Sequence, residues 1–206
     1  AELESDGEGF DGIAAADAVE PTDLLTLIYT SGTTGPPKGV QLTHANLHAI
    51  SGMMNETIAL PANGRVLSWL PTAHIAERAL NYYLPILCRS TITTLPDPKK
   101  IAEALAAVRP DFFFAVPRIW EKIKAGLDAR LAGAPEAIRK TMEEALRASV
   151  EKVRLEQAGK SVPEDLAAQV SKADQELFAP IREQLGFDKL AFASVGAAPT
   201  LQLGVR

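Results

Sequence analysis

Five short runs set the terms for how this chain can fold: LLTLIY (24–29), VLSWL (66–70), TITTL (91–95), FFFAV (112–116) and LAFAS (190–194). Each is too brief for a buried helix and rich in β-branched or aromatic residues, so each reads as a strand. None alternates apolar with charged side chains. That lack of alternation is the pattern of strands covered on both faces, as in a parallel sheet. Helical signals lie between the runs. Thr43 is placed to cap a helix running from His44 towards Met54, and a second helix is expected over 74–87. Asp97 and Pro98 supply a cap and a first-turn proline before KKIAEALAAV, which Arg109-Pro110 ends. Alternating strands and helices predict an α/β fold, a mostly parallel sheet with flanking helices and right-handed connections.

From 119 to about 187 the pattern changes to helix alone. Ile119, Ile123, Leu127 and Leu131 recur every four residues. After Gly133-Ala134-Pro135 a second apolar set follows, Ile138, Met142, Leu146, Val150 and Val153. A third begins after Pro163 with Leu166, Val170, Leu177, Ile181 and Leu185, and Pro180 should kink or divide it. The stretch reads as an insertion of about three helices that leaves the sheet and rejoins it. Arg139, Lys140, Glu143, Glu144, Arg147, Glu151 and Lys152 form its solvated faces. At the other end, residues 1–20 hold seven acids, no Lys or Arg, and three glycines. That composition buries little, so 1–20 is expected to be a mobile acidic segment, with order from 21 to 206.

Composition excludes several classes. The 206-residue chain is 47% apolar, enough for a sizeable core. Its net charge of −5 argues against a nucleic-acid partner. The single cysteine, Cys88, cannot form an intrachain disulfide and suits a reducing compartment. With no signal-like leader and no membrane-length apolar run, the expected location is cytoplasmic. In that setting Asn55-Glu56-Thr57 is a chance glycosylation match.

The segment with most chemical content is YTSGTTGPPKG, residues 29–39, directly after the first strand. Gly32, Gly35 and Gly39 allow positive φ and close backbone approach. Successive amides in such a turn make a concave anion site. Thr30, Ser31, Thr33 and Thr34 add hydroxyl donors, Lys38 adds a mobile cation, and Pro36 and Pro37 stiffen the return. Val40 to Thr43 can pair back as a strand. This is a polyphosphate cradle, but not the G-x-x-x-x-G-K-[ST] loop. Counting from Gly32, the second glycine position is Pro37, and Gly39 stands where a magnesium-binding hydroxyl belongs. Strand-like residues follow rather than a helix, so no helix dipole is aimed at the phosphates.

YTSGTTGPPKGV resembles the phosphate-binding signature of the adenylate-forming (AMP-binding) superfamily. LPTAHIAER (70–78), VPRIWEKI (116–123) and the helical insertion resemble the long-chain fatty acid–CoA ligase branch. SVGAAP (194–199) resembles the superfamily's adenine-contacting segment. The resemblance implies part of the large N-terminal domain of an enzyme that joins a long-chain fatty acid to AMP, using ATP and Mg2+. Coenzyme A then displaces the AMP. It assigns Thr30, Ser31, Gly32, Thr33, Thr34, Gly35 and Lys38 to the β- and γ-phosphates, Thr30 also to magnesium, His74 to the acyl and adenylate site, and Gly196, Ala197 and Ala198 to adenine. Lys38 and His74 are the catalytic candidates. A bilayer-partitioning substrate is compatible with peripheral membrane attachment, although no basic amphipathic anchor is visible. Alternatives are a fatty acyl-AMP ligase that hands the acyl group to a carrier protein, and a non-catalytic nucleotide-binding module.

Other residues favour plainer roles. His44 and His48 share a helix face, but no third metal ligand is evident, so they read as surface or capping groups. Glu77 and Arg78 read as a structural ion pair. Trp69, Trp120 and Phe112–Phe114 read first as core. Members of the superfamily run to well over twice this length. The segment carrying a magnesium carboxylate, the ribose-binding aspartate and the C-terminal domain with its catalytic lysine find no match here. The expectation is a partial AMP-binding domain that does not complete the reaction alone.

Overall fold

The structure is a computed structural model, and it describes residues 7, 9–30, 35–58 and 61–196. The fold is α/β. Its larger sheet is parallel, with flanking helices and a helical insertion. Two compact units divide the chain. One comprises Ala1–Ala59 with Leu70–Leu84, the other Leu60–Trp69 with Pro85–Arg206.

In the first unit, Asp11 caps a short helix, α1 (Gly12–Asp17), by accepting from the amides of Ile13 and Ala14. This helix lies inside the acidic segment and buries no residue. Strand β1 (Leu24–Thr30) pairs antiparallel with β2 (Lys38–Thr43), from Leu24 opposite Thr43 to Thr30 opposite Lys38. The two form a separate two-stranded sheet. The expectation that β1 joins the parallel sheet, covered on both faces, is therefore corrected. Of its apolar side chains Ile28 is buried, while Leu24, Leu27 and Tyr29 are exposed. The reason is loop length. Residues 31–37 can close a hairpin, whereas a parallel return needs a crossover of a dozen residues or more. Thr43 then opens α2 (His44–Ile58). Its Oγ1 accepts from the amide of Asn46, and Asn46 Oδ1 accepts from the amide of Thr43.

The second unit holds a four-stranded parallel sheet in the order β4-β3-β5-β6. These strands are β3 (Arg65–Ser68), β4 (Thr91–Thr94), β5 (Phe112–Ala115) and β6 (Phe192–Val195). β3 and β5 are central and carry the core: Val66, Leu67, Phe112, Phe113 and Ala115 are buried. Every residue of β4, an edge strand, is exposed, so two-sided cover fails there also. Ahead of β4 the chain is helical through α3 (Ile75–Arg78), a π-helical turn (Ala79–Tyr83) and α4 (Leu84–Cys88). The β4–β5 crossover is a 3-10 turn (Pro98–Lys100) and α5 (Ile101–Val108), capped by Asp97 and ended at Arg109, which has φ 49°.

Between β5 and β6 run α6 (Pro117–Ala132), α7 (Glu136–Gln157) and a third helix. The third consists of α8 (Glu164–Ala173), a π-helical turn (Asp174–Phe178) and α9 (Ala179–Leu185). Proline 180 has no N–H for the carbonyl four residues back, and the wider π turn absorbs that loss without ending the helix. Arg182 spans the same turn with two bonds to Asp174, at 2.7 and 2.9 Å. The apolar stripe expected on α7 is buried only in part. Ala145 and Ala148 face inward, while Ile138, Leu146 and Val153 are exposed.

Candidate functional site in the hairpin and the 70–84 segment

The β1–β2 hairpin fixes where its connecting loop starts and stops. Thr30 and Lys38 are cross-strand partners, and Thr30 Oγ1 donates to the Lys38 carbonyl at 3.5 Å. The seven residues 31–37 are thus delivered from a paired base. Lys38 is exposed, and no described carboxylate forms an ion pair with it. Gly35 has φ 116°, open only to glycine, with nothing within 4 Å of the place a Cβ would take. A Cβ on Gly39 would touch the Tyr29 ring at 3.4 Å, so Tyr29 lies across the hairpin base.

His74 belongs to the same unit. It is the N-cap of α3, and its Nδ1 accepts from the amide of Ala76 at 3.1 Å. An engaged Nδ1 lone pair assigns the neutral ring's proton to Nε2, so the exposed ring offers a donor. Capping fixes the direction of that ring, and its outer nitrogen has no hydrogen-bond partner among the described residues.

The expected Glu77–Arg78 ion pair is corrected. Neighbouring helix residues point about 100° apart, and these two serve different partners. Glu77 is fully buried. Its Oε2 accepts from the Leu70 amide at 3.2 Å and from Asn81 Nδ2 at 2.8 Å, closing the 70–77 loop. Arg78 turns the other way. Its Nε donates to the Thr72 carbonyl at 2.7 Å, and its Nη1 donates to Thr26 Oγ1 and, at 3.4 Å, to the Leu27 carbonyl. Sequence reasoning missed this bridge because it links residues 52 apart.

Gly196 lies in the second unit, directly after β6. A Cβ there would come within 2.8 Å of the Phe114 ring, so only glycine lets the chain cross that ring so closely. Thr30, Gly35 and Lys38 are therefore gathered on one hairpin, His74 shares their unit, and Gly196 lies in the other unit. Ser31, Gly32, Thr33, Thr34, Ala197 and Ala198 lie outside the described residues. His44 is half-buried and His48 exposed on α2. Among the described residues no group of three or more His, Cys, Asp or Glu is placed to hold a metal ion. No described helix is long and apolar enough to cross a membrane.

The aromatic residues form core. Phe113 meets Trp69, Trp120 and Phe187 at centroid distances of 5.5–6.4 Å, and Phe112 stacks on Phe192 at 5.7 Å. Trp69 Nε1 donates to the Phe114 carbonyl at 3.0 Å, whereas buried Trp120 Nε1 has no described acceptor.

The sequence profile described as AMP-binding enzyme matches residues 2–186, and the chain belongs to that family, the adenylate-forming superfamily. It is 41% identical over 194 residues to a putative fatty-acid–CoA ligase of Mycobacterium tuberculosis, covering 94% of this chain and 34% of that protein. It is 34% identical over 187 residues to a long-chain-fatty-acid–CoA ligase of Xenopus laevis, covering 87% and 25%. The adenylation domain of a carboxylate reductase from Mycobacterium chelonae shares the fold, with TM-score 0.56 and 23% identity over 87% of this chain and 24% of that one. The chain thus spans between a quarter and about a third of the length of these curated relatives.

Proposed function

We propose that the protein carrying this chain is a long-chain fatty acid–CoA ligase. The hairpin carries this reading: an antiparallel pair whose connecting loop is rich in hydroxyl and amide donors by sequence, ending at an exposed Lys38 that no described carboxylate pairs with. Similarity to fatty-acid–CoA ligases along nearly the whole chain supports the acyl substrate.

In the first half-reaction a fatty-acid carboxylate oxygen attacks the α-phosphorus of ATP. The bridging P–O bond breaks, and pyrophosphate leaves with the electron pair. Lys38 and the hydroxyls from Thr30 to Thr34 hold the β- and γ-phosphates and spread the departing charge. The Nε2–H of His74 is a donor for the reacting carboxyl or the phosphate it joins. Gly196, Ala197 and Ala198 are assigned to adenine, since residues this small permit close approach. In the second half-reaction the coenzyme A thiol, losing its proton, attacks the acyl carbonyl and AMP leaves. Magnesium would neutralise phosphate charge. Thr30 offers it a single oxygen, so its other ligands are phosphates, water and groups outside the described residues.

The test is fatty-acid-dependent ATP–pyrophosphate exchange, with palmitate and magnesium, on the whole protein. Exchange should require the acid, and Lys38→Ala should reduce it about 100-fold, with the thermal midpoint unchanged. Acid-independent exchange, or equal loss of rate and stability, would sink the reading. Release of AMP on adding coenzyme A separates this ligase from one that loads a carrier protein.

A further inference from the structure

Among the described residues the Arg78 guanidinium bonds to neither catalytic candidate, although its backbone amide donates to the His74 carbonyl at 3.2 Å, yet it joins the two segments that carry them. From the end of α3 its Nε reaches back to the carbonyl of Thr72, two residues before His74, at 2.7 Å. Its Nη1 reaches the middle of β1, at Thr26 Oγ1 and at the Leu27 carbonyl, 3.4 Å away. Thr30, where the loop begins, is four residues along the same strand, and Lys38 is its cross-strand partner. The 70–77 loop is itself closed from inside by buried Glu77, through the Leu70 amide and Asn81. Two stiff bodies result: a hydrogen-bonded hairpin, and a loop locked onto its own helix. Among the described residues, Arg78 is the side chain that bonds one to the other.

We propose that Arg78 is a positioning residue: its guanidinium clamps the phosphate-loop hairpin to the His74 segment, so that phosphate held at Lys38 and acyl carboxylate held near His74 are kept in register. This rests on the function proposed above. The planar fork matters, because Nε and Nη1 point to acceptors on different segments, and a lysine ammonium cannot reproduce that spread. Alignment acts on the chemical step more than on ground-state binding. A misplacement of about 1 Å is enough to cost up to about a hundredfold in rate.

The experiment uses the whole protein with Arg78→Lys, and Thr26→Val as a milder variant that deletes one acceptor. Arg78→Lys should lower kcat for pyrophosphate exchange about tenfold, with KM for ATP changed less than about threefold. Thr26→Val should show a smaller loss of the same kind. On a Lys38→Ala background, Arg78→Lys should cost less than about twofold more, because alignment to an absent cation no longer matters. A merely structural role predicts the reverse: fewer folded molecules scale every rate alike, and the two losses multiply. Multiplied losses, or a wild-type rate in Arg78→Lys, would overturn the clamp. Hydrogen exchange separates this failure from failure of the functional reading. If the wild-type protein shows no acid-dependent exchange, Arg78→Lys should still speed amide exchange in 24–30, 38–43 and 70–76 while leaving α7 unchanged. Unaltered protection in those three segments would overturn the clamp on its own.

Discussion

Replacing Gly186 with alanine should damage this protein more than the same change at Gly159, and the difference can be worked from the geometry. Both glycines end long helices in the left-handed region, at φ 76° and 65°. Both helix ends close in the same way. The amide after Gly186 donates to the Arg182 carbonyl at 2.7 Å, and the amide after Gly159 to the Leu155 carbonyl at 2.9 Å. Alanine in that conformation costs about 1–2 kcal/mol at either site. The surroundings differ. A Cβ on Gly159 meets nothing within 4 Å, whereas one on Gly186 would lie 2.0 Å from the Leu105 carbonyl oxygen and 2.8 Å from Ala106 Cα. These are backbone atoms of α5, so relief requires moving α9 against α5 by more than an ångström. Such overpacking costs about 1–3 kcal/mol more. With a urea m-value of about 2 kcal/mol/M, Gly186→Ala should unfold at a midpoint about 0.5–1.5 M lower than Gly159→Ala, at equal m. Equal midpoints would refute the steric argument and leave strain alone.

Two further outcomes follow from the core and the charges. Trp69→Phe should cost about 1–2 kcal/mol more than Trp120→Phe in denaturant unfolding, because Trp69 loses a bond to Phe114 while Trp120 loses a donor with no described acceptor. The Arg182 guanidinium, chiefly through its hydrogen bonds, holds the Asp174 carboxyl below its ordinary value of 3.8. Its contribution is therefore complete above that value and lost as pH falls through the depressed one. Because the pair is nearly half exposed, Asp174→Asn should cost under about 1 kcal/mol at pH 7, and that cost should vanish in acid unfolding series.

Local chemistry alone settled much of this protein. Short apolar runs located the strands of the parallel sheet, because a five-residue segment without charge has few other ways to be buried. Thr43, Asp97 and Pro180 marked two helix starts and a local widening of a helix into a π turn, since a hydroxyl or carboxylate beside free amides, or a missing N–H, acts within one turn of chain. The composition of 29–39 suggested an anion cradle, a reading that rests on residue types alone. The sequence also foresaw Val40 to Thr43 pairing back after the loop, but it could not decide which strands share a sheet. LLTLIY looks as buried as FFFAV, yet β1 closes a hairpin with exposed side chains while β5 lies at the centre of the sheet, and only strand partners distinguish them. The apolar set on α7 recurs at helical spacing, but which of its residues are covered depends on neighbouring helices. Glu77 and Arg78, adjacent in sequence, turn to a buried loop and to a distant strand. Partners 52 residues apart leave no trace in spacing, because that contact is made by the folded chain rather than by its local geometry.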